Sequence, residues 1–170
     1  GITVAHSFDI RERISFYEKL CRSHGALLFE DYEEVKGWMD WLMDTLDSME
    51  RPKCLCHIDA NVDNFLFFED GSVKLLDWEY AGMCDPVMDV SMCAIYSYYN
   101  EEDMERLFRL YLRREPSEDE LFALYANAAL GGFLWCLWAV YKSILGDEFG
   151  EYTIIMYRYA KKYYRKLRKL

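Results

Sequence analysis

The chain has 170 residues, of which 52% are hydrophobic, which suits a packed core and argues against a disordered polypeptide. Its formal net charge of −10 makes nucleic acid an unfavourable partner, because phosphate binding needs a basic surface. The six cysteines lack the spacing of a small disulfide framework and no secretion signal opens the chain, so we expect reduced thiols and a cytoplasmic location.

Two amphipathic helices are predicted at the start of the chain. In the first, about 9–23, apolar residues lie mostly on one side, and Gly25 follows its end. The second runs over about 31–49. Asp31 followed by Glu34 is the pattern of a capping box, which predicts reciprocal hydrogen bonds at the start of this helix.

After Pro52 the pattern changes from helical to extended. Residues 54–58 form a short extended segment. Two strands are predicted over 65–68 and 73–76, and the turn residues Asp70-Gly71 between them are a strong signal for a β-hairpin.

The remainder of the chain is predicted to be helical, with Ser117 and Glu120 as a second capping box. The predicted helices cover about 87–99, 101–113, 117–145 and 149–169. The sequence therefore indicates an α+β fold, mainly α-helical, in which residues 1–170 form a single domain around one central β-hairpin.

Two segments raise the question of a membrane or an anionic partner. Residues 121–141 carry no charge and would form a helix of about 31 Å, just long enough to span a bilayer. Asn127 and the pair Gly131-Gly132 favour a buried central helix instead, so we expect no membrane span. The basic end, 157–170, complements the dipole of a solvated helix, with a membrane-surface or nucleic-acid patch as the alternative.

Polar side chains gather at the open end of the predicted hairpin. His57, Asp59 and Asn64 lie on the loop that enters the first strand, and Asp77 lies where the second strand ends. Because paired strands lie about 4.8 Å apart, we expect Asp59, Asn64 and Asp77 to converge. Two carboxylates and an amide oxygen suit Mg²⁺, which takes the rest of its shell from water and substrate phosphates. This pattern predicts phosphoryl transfer.

The spacing of these groups is more specific than their composition. HIDANVDN, which begins at His57, and DWE, which begins at Asp77, match the catalytic and metal loops of kinases on either side of a hairpin. In that layout Asp59 accepts the proton of the substrate hydroxyl, while Asn64 and Asp77 hold metal. His57 and Asp89 are expected to support the loop structurally. A polar loop that caps the hairpin without activity is the alternative.

Four segments together resemble the superfamily of aminoglycoside phosphotransferases and choline kinases. They are SFDIRERISFYEKL, CHIDANVDNFLF, VKLLDWEYAGMCDPVMDV and FLWCLWAVYKSILGDEFG. The resemblance covers nearly the whole chain but only the C-terminal lobe of the family, which implies a protein-kinase-like C-terminal lobe. It also implies transfer of the γ-phosphate of ATP, with Mg²⁺, to the hydroxyl of choline.

The acceptor is expected to meet aromatic side chains. Trp135 and Trp138 share a helix face, and two indoles on one face can stack on a quaternary ammonium. Packing in the core is the alternative, but the resemblance favours contact with the trimethylammonium group of choline. Glu79 is expected to assist the metal or the cation. Three tyrosines are candidates for the rest of the aromatic wall: Tyr96, Tyr98 and Tyr99.

Two parts of a kinase site do not occur in the sequence. The nine glycines never form the Gly-rich phosphate loop, and no strand lysine of the V-A-I-K type is present. The resemblance assigns both to an N-terminal ATP lobe, which we expect to be missing here. It also makes Leu66 and Leu76 the floor of the nucleotide site. The chain alone is therefore expected to have little or no kinase activity.

Several alternatives remain at this point. The acceptor could be ethanolamine, an aminoglycoside or another small alcohol. The chain could be a non-catalytic module that binds choline. A metal-assisted hydrolase that uses Asp59 and Asp77 is the least favoured, because no His-rich or carboxylate-rich metal shell accompanies them.

Overall fold

The computed structural model describes residues 2–26 and 29–169. Its helices are α1 (Ile10–Ser23), α2 (Tyr32–Asp47), α3 (Val87–Tyr96), α4 (Glu101–Leu112), α5 (Glu118–Ile144) and α6 (Tyr152–Leu167). Its strands are β1 (Cys54–Cys56), β2 (Phe65–Phe67), β3 (Val73–Leu75) and β4 (Gly82–Cys84). The predicted fold class, mainly helical with a small antiparallel sheet component, is confirmed.

The helix start at Ser117 forms as its sequence predicts. The Ser117 amide donates to the Glu120 carboxylate at 2.8 Å, and the Glu120 amide donates to the Ser117 hydroxyl at 3.2 Å. This reciprocal pair is a capping box. Asp9 caps α1 in a simpler way, because its carboxylate accepts from the amides of Arg11 and Glu12.

The capping box predicted at the start of α2 is wrong. The side chain of Asp31 makes no capping hydrogen bond. It accepts a hydrogen bond from the Tyr157 hydroxyl at 2.8 Å and forms an ion pair with Lys161. Both partners belong to α6, and hydrogen bonds to a cation are stronger than those to a neutral amide. A distant cation therefore displaces the local cap that the sequence pattern indicates.

The predicted hairpin is present as the β2–β3 pair, in which Phe65 lies opposite Leu75 and Phe67 opposite Val73. A second antiparallel pair joins β1 to β4, with Cys54 opposite Cys84. The sequence predicts an extended segment at β1 but gives no signal for β4. A strand of three residues, paired across the hairpin, is too short for a periodic pattern.

Two predicted helix boundaries differ from the structure because the backbone turns left-handed near them. The helix predicted to reach residue 99 ends at Tyr96, since Tyr98 has a φ of 53°. The helix predicted from residue 149 begins at Tyr152, because Gly150 has a φ of 52°. Neither conformation continues an α-helix.

The chain divides into two compact units. Residues 1–8 and 51–127 form the first unit, and 9–50 and 128–170 form the second. Core side chains of the first unit include Met88, Met92, Ile95, Met104, Phe108 and Leu124. Those of the second include Val35, Met39, Leu42, Phe133, Met156 and Tyr163.

Helix α5 passes through both units and is the apolar segment that the sequence singles out. By length and composition it could cross a membrane, but 83% of its most apolar window is buried inside the protein. Burial of this kind is typical of a central core helix.

Within the second unit, α5 and α6 approach closely at Gly132. A Cβ atom at this position would lie 2.6 Å from the carbonyl oxygen of Met156. We expect Gly132→Ala to lower the free energy of unfolding by about 1–3 kcal/mol, as overpacking does. Gly37→Ala is the matched control, because Gly37 is also helical and nothing lies within 4 Å of its added Cβ.

The control substitution should raise the free energy of unfolding by up to about 1 kcal/mol, through helix propensity alone. Urea unfolding of the two variants and the parent chain measures both changes. Equal effects of the two substitutions would contradict the close approach at Gly132.

Candidate active site

The loop that begins at His57 is held in an unfavourable backbone conformation. Ile58 is completely buried and has a φ of 73°, which is strained for a β-branched residue. The carboxylate of Asp89, in the first turn of α3, accepts hydrogen bonds from the amides of His57 at 2.9 Å and Ile58 at 2.7 Å. These two bonds hold the loop in its strained conformation.

Burial raises the pKa of Asp89 above the usual value of an aspartate, and hydrogen bonds from the amides of His57 and Ile58 oppose that rise. The buried carboxylate has lost its hydration, and the hydrogen bonds from the two amides compensate for that loss.

His57 links this loop to the far side of the hairpin. Its ring is 2% exposed, and Nε2 lies 2.6 Å from the carbonyl oxygen of Leu76. Because a carbonyl only accepts, Nε2 carries the proton in this contact. The ring also meets Trp78 edge-on, with 4.7 Å between centroids. These contacts fix the backbone immediately before Asp77.

The structure brings Asp59 and Asn64 together. The Asn64 side-chain amide donates to the backbone oxygen of Asp59 at 2.9 Å and to its carboxylate at 3.1 Å. The Leu76 amide donates to the Asn64 carbonyl at 2.9 Å, so Asp77 follows directly on a residue bonded to Asn64. Asp59 and Asn64 are therefore paired, and the residue before Asp77 is bonded to Asn64. The convergence of the Asp77 side chain on this pair stays a prediction.

The donor set at this end suits a hydrated magnesium ion. The amide nitrogen of Asn64 is engaged by Asp59, which leaves its oxygen available, and the Asp77 side chain is exposed. Among the residues the structure describes, no group of three or more His, Cys, Asp or Glu could hold a metal ion. One amide oxygen and one carboxylate form an incomplete shell, which Mg²⁺ completes with water and phosphate oxygens.

The surface beside these groups is apolar. Leu66 and Leu76, the predicted nucleotide floor, are 43% and 44% exposed. Phe67 is 78% exposed and Val73 is 51% exposed, so the hairpin offers apolar side chains on both of its faces. Glu79 is exposed three residues beyond Leu76.

The two predicted indoles differ in exposure. Within the second unit Trp135 is 3% exposed, whereas Trp138 is half-buried. Their rings meet edge-on at 6.0 Å. The Nζ atom of Lys142 lies 5.9 Å from the centre of the Trp138 ring, and Phe149 packs against that ring at 5.0 Å. Trp138 is therefore the more accessible indole.

Sequence reasoning did not single out Lys142 or Phe149. The signal for Lys142 is its position four residues after Trp138, which places it on the same helix face. Phe149 carries no such signal, because the loop between α5 and α6 brings it back to the indole. In the first unit, Tyr96 ends α3, and Tyr99 is 36% exposed three residues later.

Comparison with known proteins identifies a consistent set of relatives. The model of the phosphotransferase enzyme family matches residues 7–125. The crystal structure of choline kinase LicA from Streptococcus pneumoniae is 27% identical, with a TM-score of 0.82 over 96% of this chain and 57% of that chain. LicA in complex with AMP gives 27% identity and a TM-score of 0.84 over 98% of this chain and 57% of that chain.

A curated relative extends this set to animals. Ethanolamine kinase 1 from Mus musculus is 26% identical in an alignment that covers 72% of this chain and 42% of the relative. The chain spans about two fifths of the length of the curated relatives it matches. The predicted kinase-like fold is confirmed by the structural matches.

The two hydrogen bonds that the Asp89 carboxylate accepts, called here the Asp89 clamp, predict that a substitution of Asp89 lowers stability more than a substitution elsewhere on the loop. Asp89→Asn replaces one of the two accepting oxygens with a donor that faces a backbone amide, so the free energy of unfolding should fall by about 1.5–3 kcal/mol. Asp63→Asn is the control, because Asp63 is exposed on the same loop and should change stability by less than about 0.5 kcal/mol. Urea unfolding measures both, and a loss of equal size at the two positions would contradict the clamp.

Proposed function

Since the chain belongs to the phosphotransferase enzyme family, we propose that it carries the metal-binding and acceptor-binding part of an ATP-dependent choline kinase. The observation that carries the proposal is the pairing of Asn64 with Asp59, beside the backbone that leads into Asp77. This arrangement supports the phosphoryl-transfer role that the kinase spacing predicts.

Asp59 is the proposed base. The choline hydroxyl loses its proton to the Asp59 carboxylate as its oxygen attacks the γ-phosphorus of ATP, and the bond from that phosphorus to the bridging oxygen breaks to release ADP. The hydrogen bond from Asn64 restricts the orientation of the Asp59 carboxylate. Magnesium held by Asn64 and Asp77 would neutralise charge on the phosphates. Leu66 and Leu76 would support the nucleotide from below.

A cationic acceptor suits the charge and the aromatic groups of the chain. The net charge of −10 attracts cations, and the Lys142 ammonium, 5.9 Å from the centre of the Trp138 ring, supports a cation contact at this indole. We propose that Trp138 and Trp135 bind the trimethylammonium group of choline, with Tyr96, Tyr99 and Glu79 as further acceptor contacts. The similar choline kinase LicA supports this acceptor.

Ethanolamine is the second candidate acceptor, and a specific observation favours it. The mouse relative is an ethanolamine kinase, and a primary ammonium prefers carboxylates such as Glu79 to indoles.

A non-catalytic choline-binding module is the candidate from another class, because the sequence has no Gly-rich loop and no strand lysine. We propose that these 170 residues have little kinase activity by themselves and need further elements that bind the phosphates of ATP. We also propose that they act in the cytoplasm, where ATP is available.

Transfer of ³²P from ATP to choline by the complete gene product tests this function. We expect Mg²⁺-dependent formation of phosphocholine, and Asp59→Asn should lower kcat by about 10²- to 10⁴-fold, the usual contribution of a general base. Asp63→Asn, an exposed neighbour on the same loop, should leave kcat nearly unchanged. Binding of choline without any phosphate transfer would support the non-catalytic module instead.

The same assay distinguishes the acceptors. Trp138→Leu keeps an apolar side chain but removes the indole face, so KM for choline should rise by about 2- to 30-fold, which corresponds to one cation–π contact. KM for ethanolamine should change less. Trp41→Leu is the control, since Trp41 lies on α2 and is 38% exposed. An equal rise for both acceptors would exclude the aromatic cation site.

A further inference from the structure

A groove of about 600 Å³ lies on the second unit, between the segment just before α2 and one face of α6. This α6 groove is lined by Phe29, Glu30, Asp31, Ile154, Tyr157, Arg158, Lys161, Lys162 and Arg165. Its volume falls within the range of small-molecule sites. None of these residues belongs to the candidate active site.

The charge of the groove is opposite to that of the chain. Four basic side chains and two carboxylates line it, whereas the whole chain has a net charge of −10. One of the carboxylates, Asp31, is already engaged by Lys161 and by the Tyr157 hydroxyl. Glu30 is the second lining carboxylate, and the other basic lining residues are Arg158, Lys162 and Arg165.

Two of these cations are available to a ligand. Arg158 and Arg165 are seven positions apart, which places them on one face of α6, two turns from each other. Neither side chain forms a hydrogen bond or ion pair with any residue that the structure describes. The Arg165 guanidinium lies 5.6 Å from the centre of the Trp38 ring, which holds the side chain in place without neutralising its charge.

Five of the eleven arginines in this acidic chain are paired with carboxylates. Ion pairs occupy Arg11, Arg22, Arg51, Arg109 and Arg114. With 30 acidic residues against 20 basic ones, carboxylates are abundant, so two arginines without acidic partners in one concave site form a local concentration of positive charge.

An apolar wall completes the groove. The rings of Phe29 and Tyr157 are stacked, with 3.9 Å between centroids and 8° between planes. Ile154 is 47% exposed beside them. A ligand that fills the groove would therefore place its charged groups on the arginines and an apolar or planar part on this wall.

We propose that the α6 groove binds a small phosphate-bearing solute, with phosphate oxygens on Arg158 and Arg165. The guanidinium group presents paired donors that match phosphate oxygens. The concave shape and the apolar wall favour a small molecule over a membrane or a nucleic acid, either of which would need a flat or extended basic surface. This site is independent of phosphoryl transfer at Asp59.

Calorimetry with inorganic pyrophosphate, in EDTA to exclude metal-dependent binding at the hairpin, tests the proposal. The 170-residue chain should bind pyrophosphate, and Arg158→Gln with Arg165→Gln should weaken binding by about tenfold for each arginine lost. Lys19→Gln with Arg106→Gln is the control pair, since both side chains are exposed elsewhere and the loss of charge is equal. Circular dichroism verifies that each variant is folded.

A local readout separates this groove from the candidate active site. In NMR spectra, the indole N–H signal of Trp38, under Arg165, should shift on addition of pyrophosphate. The signal of Trp78, beside His57, should not shift. Three results would overturn the proposal: no binding, equal weakening by the control pair, or a shift at Trp78 alone. Binding to phosphatidylglycerol vesicles without binding to pyrophosphate would also overturn it, in favour of a membrane surface.

Discussion

The carboxylate of Asp89 holds two backbone amides, and the geometry of the candidate active site depends on that contact. Without it, buried Ile58 would have no compensation for a left-handed backbone conformation, which a β-branched residue avoids. Because Asp59 follows Ile58 directly, the direction of the proposed base is set by a side chain thirty positions further along the chain.

A second connection makes the hairpin a rigid frame for the chemistry. His57 reaches the carbonyl of Leu76, and Asn64 is bonded both to Asp59 and to the Leu76 amide. The loop before β2 and the end of β3 are thus tied at several points, so the proposed base and the proposed metal ligands are positioned by one network. Such a network keeps catalytic groups preorganised before substrate binds.

The sequence predicts the parts of this site that depend on local pattern. The Asp70-Gly71 turn predicts the hairpin, and the spacing from His57 to Asn64 places the polar groups on its entry loop. Features that depend on distant partners are not predictable in this way. Asp31 loses its capping role to Lys161 of α6. Strand β4 pairs with β1 and is bonded at Met83 to the segment around Ser7, and both partners lie far away in sequence.

The solvent exposure of a side chain is a second property that the sequence pattern does not predict. Trp135 and Trp138 occupy the same helix face by spacing, yet one is nearly inaccessible and the other half-buried, because the packing of neighbouring side chains decides which ring meets solvent. The α6 groove is similar: its basic residues are evident in the sequence, but the aromatic wall beside them results from the packing of Phe29, which precedes α2, on Tyr157 of α6.

Amide hydrogen exchange of His57 and Ile58 tests most directly the claim that Asp89 maintains the active-site loop. If the two amides are held by the carboxylate in the protein without ligands, they should exchange only in openings about as costly as those of the α3 core. Exchange of both at the rate of an unstructured peptide, while the α3 amides stay protected, would contradict the account.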